Sequence, residues 1–83
     1  MMDINQISDW ITDAKKGEQA IYYTGDLAKD RGNPKSVLSG VANYVWAMKK
    51  QGLVFLSQKK TPNCTKQHSE FYYIMHRSKK DRI

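Results

Sequence analysis

The stretch from Asn33 to Ser57 constrains the fold more than any other part of the chain. Asn33-Pro34 is a helix start, because an Asn side chain can accept the first free backbone N–H groups and proline's fixed φ suits the first helical position. Val37 or Leu38, then Val41, Tyr44, Val45 and Met48, recur at helical spacing. The pattern predicts a helix over 34–51, stopped by Gly52. Leu53-Val54-Phe55-Leu56-Ser57 follows at once and reads as a strand. One long central helix therefore runs straight into β-structure.

Phe71-Tyr72-Tyr73-Ile74-Met75 supplies a return strand, which makes a β-hairpin. Its polar loop is too long for a tight two-residue turn and is expected to carry Lys59, Lys60 and Lys66, so that 57–70 forms a basic lobe. Upstream, Ile4, Ile7, Ile11 and Ala14 build one apolar stripe and predict a helix over 3–16. Asp3 can cap its start, Lys15 and Lys16 suit its last turn, and Gly17 can take the left-handed position after it. Trp10 sits beside the stripe. Ala20-Ile21-Tyr22-Tyr23-Thr24 reads as a short strand. A short helix over 26–31 follows, with Asp26 as its cap, Leu27-Ala28 as its inward face and Gly32 as its end. There is no repeat or linker, and 83 residues suit a single α+β domain over 1–83, with 77–83 as a frayed basic tail.

Charge is distributed unevenly. Residues 1–33 hold four basic groups against six acids, a net −2. Residues 34–83 hold ten against two, a net +8. A one-sided positive field attracts polyanions.

Several classes of function are set aside on the same grounds. Cys64 stands alone, so no internal disulfide is expected. The start of the chain has no basic segment followed by an apolar core, and no apolar run approaches the roughly 20 residues that span a bilayer. A cytoplasmic protein without a membrane partner is expected. There is no glycine-rich phosphate loop, no nucleophile elbow and no histidine pair at helical spacing, so no catalytic residue and no enzyme is expected. Cys64, His68 and His76 are too scattered for a zinc pattern, and neither metal nor cofactor is expected.

The order of elements is helix, short strand, short helix, turn, long helix, glycine, strand, basic loop, strand. It resembles the winged helix-turn-helix family, in the version found in small bacterial and phage regulators. Gly25-Asp26-Leu27-Ala28 would open the first helix of the motif, while Val41, Tyr44, Val45, Met48 and then Gly52-Leu53-Val54 match the passage from recognition helix to wing. The resemblance covers about residues 20–76. It implies a transcriptional regulator that binds nucleic acid, duplex DNA above all, with the recognition helix in the major groove. With Leu38, Val41, Val45 and Met48 inward, the outward set is Lys35, Ser36, Ser39, Gly40, Asn43, Ala47 and Lys50. Asn43 would pair bidentately with adenine, Ser36 and Ser39 would meet bases or phosphates, and Lys35 a phosphate or guanine. Lys59, Lys60 and Lys66 would contact the backbone.

One departure matters. The predicted recognition face has no arginine, although arginine to guanine is the commonest specific contact. A second expectation therefore stands beside the first: a small phage-type protein of the same fold that docks on and inhibits a host protein or nucleoprotein complex. Trp46, which does not share the core stripe, would either cover the hairpin or stand exposed as the anchor of such a partner. Trp10 and Ile11 are the candidate contacts of a homodimer.

Overall fold

The computed structural model describes residues 1–32 and 35–78. The elements are α1 (Ile4–Asp13), β1 (Gln19–Gly25), α2 (Leu27–Asp30), α3 (Val37–Lys50), β2 (Val54–Lys60) and β3 (Phe71–Arg77). The strands form one antiparallel sheet in the order β1-β3-β2. The last strand is thus the central one, and it pairs with both neighbours.

Asp3 caps α1 as expected and does so reciprocally with Gln6, each side chain accepting the other's backbone N–H. The helix ends earlier than its apolar pattern predicts. Ala14 is extended, and Lys15 and Lys16 fall in a turn beyond the helix, where the Lys15 N–H donates to the Glu18 carboxylate. Gly17, at φ 87°, serves this turn rather than a helix cap. The predicted stripe is correspondingly shorter. Ile7 and Ile11 are fully buried, whereas Ile4, in the first turn, is exposed.

The start of α3 also differs. Ser36 is the cap, accepting the Ser39 N–H at 3.1 Å, and the helix begins at Val37. The expected Asn33-Pro34 start lies outside the described residues. The end of α3 is as expected. Gly52, at φ 78°, lets the Leu53 N–H reach the Met48 carbonyl and its own N–H reach Lys49, and the buried Leu53 and Met48 side chains join the core.

The core lies between the sheet and the pair α1 and α3. Ile7 and Ile11 meet Val41, Val45 and Met48 from α3, and Val54, Tyr73 and Met75 from the sheet. A bulge in β1 between Ile21 and Tyr23 resets the alternation of that strand. Tyr22 and Tyr23 therefore both pack against Tyr73, instead of splitting between two faces. The opposite face of the sheet leaves Phe55 and Ile21 exposed.

The expected frayed tail over 77–83 does not hold for its first two residues. Arg77 ends β3 as a buried residue, and Ser78 is buried after it. Residues 79–83 lie outside the described residues. No helix among the described residues is long and apolar enough to cross a membrane.

Candidate functional site

Between α2, α3 and β2 lies a groove of about 630 Å³. Its short side is α2, only one turn long. Asp26 caps that turn, and the Leu27 N–H donates to the Tyr73 hydroxyl at 2.9 Å, pinning α2 to the central strand. Tyr22 and Tyr73 line the groove with Leu27 and Leu56, while Arg31, Asn43, Trp46 and Gln58 add polar and aromatic edges.

Arg31 organises this edge. It is the C-cap of α2, and its guanidinium extends over α3. Nη2 donates to Asn43 Oδ1 at 2.5 Å, and Nε donates to Ser39 Oγ at 3.4 Å. The Arg31 carbonyl accepts the Ser36 hydroxyl at 2.8 Å. The arginine missing from the α3 sequence is thus supplied to its surface by the preceding helix. Sequence periodicity cannot find it, because Arg31 belongs to another element. Its place directly before Gly32, at a helix end facing the start of α3, is the one signal in the sequence.

These contacts revise the expected base-reading set. Ser39 is buried at 2% exposure, and Ser36 spends its hydroxyl on the helix cap and on Arg31, so neither presents a free side chain. Asn43 is exposed but held by Arg31. Lys35 is exposed just before the cap, and Lys50 is exposed as the last residue of α3. Gly40 faces open space, as an outward position should.

The hairpin revises the expected lysine set. β2 continues through Lys60, because Lys59 pairs with Tyr72 and Lys60 with Phe71. Both lysines therefore belong to a strand rather than to a loop, and neighbouring strand residues point to opposite faces. Lys60 shares the parity of buried Val54 and of Leu56, on the groove side, while Lys59 shares that of exposed Phe55. Lys66 is exposed in the connection between β2 and β3. That connection is closed by Thr61, whose hydroxyl donates to Glu70 at 2.8 Å and whose N–H donates to the Glu70 carbonyl. The Thr61 hydroxyl, then His68, holds the Glu70 carboxyl below its ordinary value.

Trp46 is half exposed at the groove, with the Lys49 ammonium 4.0 Å from its ring centre. Of the two expected homodimer contacts, Trp10 is half-buried against the core, and Ile11 is fully buried within it. Ile11 therefore offers no surface to a partner. Among the described residues, no three His, Cys, Asp or Glu side chains gather as metal ligands.

The support of α2 is pH-dependent. The Tyr23 hydroxyl donates to Asp30, and desolvation, then this bond, pushes its pKa up to about 12. The same bond holds the Asp30 carboxyl below its ordinary value. The folded tyrosine pKa is raised, so its contribution is complete below pH 10.0 and is lost as pH climbs toward 12. The folded Asp30 pKa is depressed, so its contribution is present above 3.8 and is lost as pH falls below that value. In a ring-resonance titration, Tyr23 is expected to ionise well above pH 10 in the native protein and at lower pH in Asp30→Asn. Coincident curves for the two proteins would contradict this contact.

Comparison with known proteins finds no matching family model, no matching curated protein and no matching solved structure.

Proposed function

We propose that this chain is a winged helix-turn-helix that binds nucleic acid, duplex DNA in the first place, as a cytoplasmic transcription regulator. One observation carries the reading. The exposed side of α3, the guanidinium of Arg31 and the lysine-bearing strand β2 all border one groove. The element order and the central β3 support the winged-helix assignment. In this reading α3 approaches the major groove, and the hairpin follows the adjoining phosphates.

The test is a salt-dependent titration of mixed-sequence duplex DNA, with single strands and RNA run in parallel. Each lysine that neutralises a phosphate contributes about 0.9 to the log–log salt slope. Lys60→Ala and Lys66→Ala are each expected to lower the slope by about that amount, and Lys59→Ala by less, because it points to the other face of the sheet. Unchanged slopes in all three variants would remove the hairpin from the interface. Failure to bind duplex at low salt would remove the DNA reading.

Trp46 favours a second reading. A half-exposed tryptophan beside Leu27 and Leu56 suits a protein anchor, as in a phage-type inhibitor of a host complex. A partner retained from nuclease-treated extract by the wild type and lost by Trp46→Ala is the expected result. Retention of none would end that reading.

A further inference from the structure

The Arg31–Asn43 contact decides what the α3 surface can read. A guanidinium has donors only, so it can meet Asn43 only through Oδ1. That fixes the orientation of the amide, and the Asn43 amino group becomes the end left for other partners. Neither Asn43 Nδ2 nor Arg31 Nη1 has a hydrogen-bond partner among the described residues. Ser36 and Ser39 hold Arg31 in place through its carbonyl and Nε. The pair is thus built before any ligand arrives, and the two groups it leaves unpartnered, Asn43 Nδ2 and Arg31 Nη1, are both donors, while the amide oxygen already accepts from Arg31.

Bidentate recognition of adenine needs Asn Oδ1 to accept from the adenine amino group while Nδ2 donates to N7. Here the Arg31 guanidinium already occupies one lone pair of Oδ1, so an adenine amino group would have to approach beside a cation and against the unpartnered donors Nη1 and Nδ2. Guanine presents two acceptors, N7 and O6, on the same edge. Resting on the nucleic-acid reading above, the geometry points to a specificity-determining unit in which Arg31 Nη1 and Asn43 Nδ2 together select guanine against adenine at one position of a duplex.

The experiment uses the full chain and a randomised duplex pool, followed by a fixed duplex carrying the selected base. Wild type is expected to enrich a guanine, and replacing it by adenine is expected to weaken binding by about 5- to 150-fold, the range for one bidentate contact. Replacing it by 7-deazaguanine, which lacks the N7 acceptor and needs no protein variant, is expected to lose much of the same factor. Asn43→Asp keeps a partner for Arg31 but exchanges the outward donor for an acceptor, and is expected to abolish the preference without unfolding the chain. Arg31→Lys keeps the charge, and with it the salt slope, yet loses the fork and the preference.

An adenine preference that Asn43→Ala abolishes would overturn the inference. So would duplex binding with no guanine preference. A uniform weakening of all sequences by Arg31→Ala, with a lower salt slope, would make Arg31 a phosphate contact and overturn it as well. If wild type binds no duplex, the proposed function falls first and this inference falls with it.

Discussion

Arg77→Met is expected to destabilise the protein by about 3–5 kcal/mol, because it removes charge-assisted hydrogen bonds from a buried site, the two shortest of them to the Ile11 and Leu53 carbonyls. The guanidinium donates through Nε to the Ile11 carbonyl at 2.8 Å and through Nη1 to the Leu53 carbonyl at 3.0 Å. The first of these carbonyls has lost its helical partner. The Lys15 N–H, which would continue α1, donates instead to Glu18. Arg77 therefore caps α1, complements its dipole and ties it to the entrance of β2. A domain of this size has roughly 5–15 kcal/mol in total, so the variant should be close to unfolding. Thermal unfolding followed by circular dichroism should show the midpoint falling by about 12 °C or more, on the scale of about 4–8 °C per kcal/mol. Arg77→Lys, with a single ammonium for two carbonyls, should fall between. A loss below about 1 kcal/mol in Arg77→Met would show that water can replace the guanidinium there.

Ile11→Ala is expected to cost about 2–5 kcal/mol, the range for truncating a fully buried branched side chain into a cavity. Ile11 is 0% exposed between α3 and the sheet. Val37→Ala, at 73% exposure, should change stability by no more than about 0.5 kcal/mol. The comparison also tests where Ile11 acts. Loss of a core contact shifts the unfolding midpoint equally at every protein concentration. Loss of a dimer contact would make the wild-type midpoint concentration-dependent and remove that dependence in the variant.

Much of the fold was legible because local rules and burial agreed. Asp3, Asp26 and Gly52 act where side-chain acceptors and a left-handed backbone are required, and Val41, Val45 and Met48 are buried as their spacing predicts. Beyond the helix ends, the errors lie where two elements meet. A serine beside an apolar helical stripe reads as outward, yet Ser39 is buried and its hydroxyl meets Arg31 of α2. Lys59 and Lys60 read as loop, yet β3 draws them into the ladder.

The opening feature, a long helix passing through Gly52 into a strand, was determined by the sequence alone. Helical spacing and a left-handed glycine, at φ 78°, are local requirements, although the cap at the start of the helix is Ser36 and not the residue the sequence suggested. Tertiary structure alone decided which side chains face the groove. Helix periodicity fixes a stripe on its own element but says nothing about a neighbour's reach, so a long guanidinium from α2 could supply the arginine that α3 lacks. It also decided the fate of Arg77. The charge looked like part of a solvated tail until the end of α1 and the entrance of β2 presented it with two carbonyls in the interior.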